Sequence, residues 1–275
     1  MSDLIYDVGM HDGHDSEFYL LKGFRVVAVE ADPDLCEAAK ERFQPFLQSG
    51  QLTIVNRAIV PKAGPVTFYR SSTPGWGTVV DEWNRYNVSR GIAAGSLVVD
   101  GITLADLVGI HGQPFYLKVD IEGMDRTALE SLTETAVRPR YVSIETSFER
   151  SPTITSIRSE FNTLVLLGYD RFKIVDQDVV PEQLPPSPAR MGKYVPYTFT
   201  SSASGLFGEE APGEWLSAEA ALGSFQRICR RNWLPLQLYR RTRLYPYYVR
   251  IMSRLTGNSP NLGWYDIHAK HSSVE

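Results

Sequence analysis

The stretch Leu4–Gly13, LIYDVGMHDG, passes from apolar residues through an acid into a turn bracketed by Gly9 and Gly13, with helix-forming residues directly behind it. That order suits a buried strand ending in a tight turn that hands over to a helix, with Gly9 letting the backbone pass close to a ligand and Gly13 letting the helix pack near the strand. A second apolar stretch, Phe24–Glu30 (FRVVAVE), also ends in an acid, 23 residues after Asp7. An acid and two glycines closing the first strand, with an acid closing the second, predict a Rossmann-like fold gripping a nucleoside-bearing cofactor.

The rest of the chain extends this pattern. Asp32 is placed to cap the second helix, with Pro33 at its first position, and Leu52–Asn56 reads as the third strand. A βαβαβ order calls for right-handed crossovers and a parallel sheet. Ala58–Val60 and Val66–Arg70 then read as a hairpin turning at residues 62–65. The segment SSTPGWGT, residues 71–78, reads either as a surface loop with one packed Trp76 or as a wall over the ligand. Val98–Asp100 reads as a short strand, and Thr103–Val108 as a helix capped by Thr103. Further strands are expected at Pro114–Asp120, Arg140–Glu145 and Tyr169–Val175, with helices over Asp125–Leu132 and Ile154–Leu167. Tyr197–Ser201 is the expected last strand of a seven-stranded, mostly parallel α/β sheet with helices on both faces. The composition changes after about residue 204, which predicts a binding domain over 1–203 and a C-terminal helical appendage over 204–275.

Hydrophobic residues make up 43% of the 275 positions, enough for a substantial core, and the net charge of −4 argues against a nucleic-acid partner. Cys36 and Cys229 are too few for a disulfide framework or zinc site. With no signal-like N-terminus and no apolar run of about 18 residues, a cytoplasmic protein without a transmembrane segment is expected.

The turn discriminates between cofactors. A dinucleotide places its pyrophosphate at G-x-G-x-x-G, a spacing this chain lacks, and Asp7 would repel a phosphate. S-adenosylmethionine carries an α-amino group and a sulfonium, which an acid and backbone groups suit. Glu30 is placed to accept both ribose hydroxyls. The cofactor contacts expected from these strand ends are Asp7, Gly9, Gly13, Glu30 and Asp120. Asp120 lies in the middle of the segment Leu117–Gly123, LKVDIEG, at the carboxyl end of a strand facing the crevice.

These motifs resemble those of the FkbM family of S-adenosylmethionine-dependent methyltransferases. The family's D-V-G-A-N-x-G-x-x-[ST] is similar to Asp7–Gly13 followed by Ser16, with Met10 for the usual alanine and His11 for the usual asparagine. Its L-K-[IV]-D-[IV]-E-G resembles Leu117–Gly123 closely, and its second-strand acid matches Glu30. The resemblance covers about residues 4–175, and with it His11, Ser16, Ala31 and Asn56 join the expected cofactor contacts. It implies methyl transfer, commonly to a hydroxyl of a sugar or natural-product scaffold, so a small-molecule or glycan acceptor is the expected partner.

A hydroxyl acceptor needs its proton removed by a placed base, and Asp120, Glu145 and His268 are the candidates, with His11 a fourth that is better placed to line the cofactor. Asp120, Glu122 and Glu145 could instead hold a divalent cation through oxygen ligands, a reading the spacing does not favour. The tail carries Arg227, Arg230, Arg231, Arg240, Arg241, Arg243, Arg250 and Arg254 among Trp233, Tyr239, Tyr245, Tyr247 and Tyr248. Three readings of it stand: a solvated helical cap, a pocket for an anionic acceptor, and contact with an anionic membrane surface, which Pro235 and Pro246 weaken. The rival to an enzyme is a non-catalytic module of the same fold that binds a partner through this tail. Oligomeric state is not legible.

Overall fold

The computed structural model describes residues 3–73, 75–146, 154–241, 247–248, 250–252 and 264–274, with side chains of residues 231–241 outside the description. Its strands are β1 (Leu4–Val8), β2 (Arg25–Glu30), β3 (Leu52–Asn56), β4 (Ala58–Ile59), β5 (Gly64–Ser71), β6 (Ala93–Ile102), β7 (Tyr116–Val119), β8 (Tyr141–Glu145), β9 (Tyr169–Asp176) and β10 (Tyr265–His271). The helices are α1 (His14–Leu21), α2 (Pro33–Arg42), α3 (Gln44–Gln48), α4 (Asp81–Ser89), α5 (Leu104–His111), α6 (Asp125–Glu130), α7 (Ile154–Leu166) and α8 (Ala218–Arg241).

Seven strands form one sheet in the order β3-β2-β1-β7-β8-β10-β9. All its pairings are parallel except those of β10, which runs antiparallel to both β8 and β9. The central strands are buried on both faces, as a sheet covered on both sides requires. On one face Tyr6, Val8, Leu117, Val119 and Ile144 pack with Leu107 of α5, Leu129 of α6, Phe161 of α7 and Phe225 of α8. On the other, Ile5, Val26 and Tyr116 meet Phe18 and Tyr19 of α1, together with Phe199 and Phe207. Phe207 stacks on Tyr116 with ring centroids 4.7 Å apart.

The expected caps form. Asp32 accepts the Asp34 N–H ahead of α2 with Pro33 in the first turn, and Thr103 accepts the Asp106 N–H ahead of α5. Three expectations are corrected. Residues 58–60 and 66–70 are not a hairpin: β4 and β5 both pair with β6, in parallel and antiparallel, to make a separate small sheet. Residues 197–200 are not a strand, because Tyr197 and Phe199 turn their rings onto Phe18 of α1 instead. The seventh strand is β10, from the end of the chain. It is inserted between β8 and β9 because its apolar side chains Tyr265, Ile267 and Ala269 complete one core. Together with Phe207 and Phe225, β10 places the segment after residue 203 in both cores, so no separate core marks the expected boundary there. Among the described residues no helix is long and apolar enough to cross a membrane.

Candidate functional site

A cavity of about 770 Å³ opens at the carboxyl ends of β1, β2, β7 and β8. The small sheet lies against it through Ala58, Ile59, Phe68 and Arg70, and the segment 71–79 supplies Trp76 and Thr78. Thr78 donates its hydroxyl to the Glu122 carbonyl at 2.9 Å, tying this segment to the turn after β7. Trp264, at the start of β10, stands on the same wall.

The glycine turn is built for close approach. Gly9 has φ +86°, and a Cβ there would lie 1.8 Å from the Asp120 carbonyl oxygen. Only glycine lets the ends of β1 and β7 come this near. Gly13, also at positive φ, lies under the Phe43 ring, which a Cβ would meet at 2.6 Å. Two cavity residues that are not glycine also have positive φ, His11 (51°) and Glu122 (52°). Left-handed backbone of that kind concentrates where a site is built. The Glu30 carboxylate sits at the end of β2, where Oε2 accepts the His11 N–H (2.9 Å) and Oε1 the Asp32 N–H (2.8 Å). Burial raises its pKa, and those two N–H groups oppose the rise.

The expected cofactor residues divide in two. Gly9, His11, Glu30, Ala31 and Asp120 line the cavity. Asp7, Gly13, Ser16 and Asn56 do not. Asp7 is fully buried, accepting the Ser16 hydroxyl at 2.6 Å and facing the Lys118 ammonium at 3.2 Å. Its expected contact with the ligand's amino group is replaced by this internal pair. Asn56 donates to the Glu30 and Ala31 carbonyls (2.9 and 3.1 Å), so it supports the wall from behind.

Lys118 is the hub that the sequence reading left without a role. It is almost fully buried and stands 3.2 Å from Asp7, 3.5 Å from Asp15 and 3.6 Å from Asp120. Burial alone would push the ammonium down. Asp7, Asp120 and Asp15 outweigh it and hold the pKa well above the ordinary lysine value. Asp15 takes the Ser204 N–H on both carboxylate oxygens, and burial, only partly opposed by Lys118, raises it to about 6.

The three candidate bases are also separated. Asp120 is on the wall but shares Lys118. Glu145 is on the wall without a hydrogen-bond or ion-pair partner among the described residues. Burial first, then the charges of Glu122 and Asp120, raises its pKa well above the usual carboxylate range. His268 is not on the wall. It is buried in β10 between Ser143 and Lys173, both ring nitrogens lack partners, and burial followed by Lys173 pushes it down to about 3. A histidine sealed in the sheet has no path to an acceptor, so His268 is removed from the candidate bases. Asp266 was missed: it lies opposite Glu145 on the neighbouring strand. The period-two spacing from Trp264 was the available signal, but β10 was not legible as a strand.

No group of three or more His, Cys, Asp or Glu among the described residues is arranged to hold a metal ion. Of the arginine-aromatic tail, the backbone is helical through Arg241. The side chains of residues 231–241, together with Arg243, Tyr245 and Arg254, fall outside the described residues.

In comparison with known proteins, the family described as the methyltransferase FkbM domain matches residues 7–170. No curated protein matches the chain. Solved structures similar to it include three methyltransferases. Precorrin-6y C5,15-methyltransferase from Geobacter metallireducens has a TM-score of 0.36 and 10% identity over 64% of this chain and 69% of that one. A SAM-dependent methyltransferase from Thiobacillus denitrificans, in complex with S-adenosyl-L-homocysteine, has 0.38 and 10%, over 98% of this chain and 85% of that one. The SAM-dependent methyltransferase from Geobacter sulfurreducens, in the same complex, has 0.39 and 10% over the same shares.

Proposed function

This chain belongs to the FkbM family of S-adenosylmethionine-dependent methyltransferases, and on that premise we propose that it methylates a hydroxyl of a small-molecule or glycan acceptor, with Glu145 as the base. The residues present fit the cofactor. The turn at Gly9 leaves no room for a side chain, so backbone forms that part of the wall, and the cavity of about 770 Å³ has room for a ligand of this size beside an acceptor. Gly9, His11, Glu30, Ala31 and Asp120 would hold it, with Glu30 directed at the ribose. Bound there, S-adenosylmethionine would supply an electrophilic methyl group on its sulfonium, with the sulfur as the leaving group.

What the chain itself does is orient and deprotonate. Positioning two reactants in a shared cavity can contribute roughly 7–11 kcal/mol, and Trp76, Trp264 and the small sheet enclose the space in which that happens. One observation carries the choice of base: Glu145 is the cavity carboxylate with neither a hydrogen bond nor an ion pair among the described residues, while Asp120 stands 3.6 Å from an ammonium. A raised proton affinity also suits a base that must work near neutral pH. His268 plays no part.

The test is to incubate the purified chain with isotopically methyl-labelled S-adenosylmethionine and a panel of polyhydroxylated acceptors, and to locate the label by mass spectrometry. Label on oxygen is expected. Glu145→Gln should lower kcat by about a hundredfold or more while calorimetry finds cofactor affinity unchanged. Label on nitrogen or carbon, or an undiminished Glu145→Gln, rejects the assignment.

A further inference from the structure

Asp266 belongs to none of the contacts described so far. It is 5% exposed, and its carboxylate has no hydrogen-bond or ion-pair partner among the described residues. Its place is set by register. In the antiparallel pairing of β10 with β8, Asp266 stands directly opposite Glu145, so their side chains share one face, with Cβ atoms roughly 4.5–5.5 Å apart. Trp264, two residues earlier on the same face, lines the cavity, as does Glu145. The odd-numbered neighbours Tyr265 and Ile267 go into the core on the far face.

Among the described residues, the charged groups near this rung come from several elements. Glu145 comes from β8, Lys118 and Asp120 from β7 and its end, and Glu122 and Asp125 from the following turn and α6. Asp15 comes from α1. On β9 the residue opposite is the apolar Val175, with Lys173 two positions along, on the His268 rung. The one ammonium among them close to a carboxylate, Lys118, is within 4 Å of three already, Asp7, Asp15 and Asp120. Two carboxylates set opposite each other on one rung, with no cation of their own among the described residues, disfavour ionising together.

We infer that Asp266 is a positioning residue for the base, sharing one proton with Glu145 across the β8–β10 rung and so keeping Glu145 basic enough to accept the acceptor's hydroxyl proton. Both groups have raised proton affinity, burial first: for Glu145 the charges of Glu122, Asp120 and Asp125 follow, with Asp266 after them, and for Asp266 Asp120 follows, partly opposed by Lys118, so the pairing itself rests on the register of the rung. The pair holds one proton before the reaction and two after it, and the second returns to solvent. The inference rests on Glu145 being the base, and its test separates the two.

The experiment is a carboxyl-carbon NMR titration of the full chain labelled in Glu and Asp, without cofactor. Glu145 is assigned by its loss in Glu145→Gln. In the parent protein the Glu145 and Asp266 carboxyls should titrate in two coupled steps. In Asp266→Asn the Glu145 midpoint should fall by about one unit or more, and Asp266→Glu should restore it. In turnover assays Asp266→Asn should move the acidic limb of the kcat profile down by the same amount with KM unchanged. An unmoved Glu145 midpoint in Asp266→Asn overturns the inference. Should that variant fail to fold, two independent single-step titrations in the parent protein overturn it equally. If the midpoint moves but Glu145→Gln still turns over normally, the shared proton stands and the base assignment falls.

Discussion

The two halves of the crevice floor handle buried charge in opposite ways. Beneath the β1–β7 junction, Asp7, Asp15 and Asp120 surround Lys118, and Ser16 and the Ser204 N–H occupy remaining oxygens. Beneath the β8–β10 junction, Glu145, Asp266 and His268 have no hydrogen-bond or ion-pair partner among the described residues. The first arrangement is closed and holds the strand ends that carry the glycine turn. The second leaves two carboxylates, Glu145 and Asp266, with raised proton affinity beside a neutral His268. Buried polar groups in one sheet are therefore satisfied by an ion-pair cluster on one side and left without such partners on the other.

The largest effect should come from breaking the closed half. Lys118→Met leaves three carboxylates around an apolar side chain, and removing one partner from a buried ion pair typically costs about 3–5 kcal/mol. Denaturant unfolding should show a loss of that size at neutral pH. A loss below about 1 kcal/mol would mean that Lys118 does not hold the β1–β7 junction together.

A smaller effect, in pH, sharpens the same contrast. Asp125 sits between the halves. Burial, then Asp120, raises its carboxyl from an ordinary 3.8 to about 8, although it accepts the Ile121 and Gly123 N–H groups. An acid with a raised folded pKa contributes stability that is full below its unfolded value and lost as pH rises through the folded one. Thermal stability should therefore fall between about pH 4 and pH 8. Asp125→Asn should flatten that fall and raise Tm on the alkaline side relative to the parent. Thermal scans across this range check it, and a parent Tm that holds level would contradict the raised carboxyls.

The smallest effect is expected at His268, and its sign is the informative part. The neutral imidazole is buried with both nitrogens unpaired, and orphaned polar groups of this kind cost about 1–3 kcal/mol each. His268→Leu should stabilise the protein by about 1 kcal/mol at neutral pH and leave methyl transfer intact. Its folded pKa near 3 lies below the ordinary 6.5, so the unfolded chain takes up the proton first. The parent loses stability as pH falls through that window, and the variant should lose less. Impaired turnover in His268→Leu would return the residue to the active site.

Much of this was readable in advance where chemistry and position coincide locally. A strand and the turn behind it are contiguous, so Gly9, Glu30 and Asp120 could be placed on the cavity wall from the strand ends, and His11 from the family resemblance. Asp7 could not. Its neighbour Lys118 is 111 positions away, and only the parallel pairing of β1 with β7 shows that the acid is already neutralised. The small sheet was misread for a similar reason: β4 and β5 are close in sequence, yet each finds its partner in β6.

By itself the sequence determined the α/β class, the cofactor and the membership of a methyltransferase family. Each is written in local periodicity and in turn residues that act on their nearest neighbours. Tertiary structure alone decided which acids face the cavity, which are paired, and which strand completes the sheet. The physical reason is that β10 is inserted 120 positions after its partner Glu145, counted from that residue to Tyr265. Burial, register and partner charge, which set what a carboxylate can do, are properties of that assembled rung and have no signature along the chain.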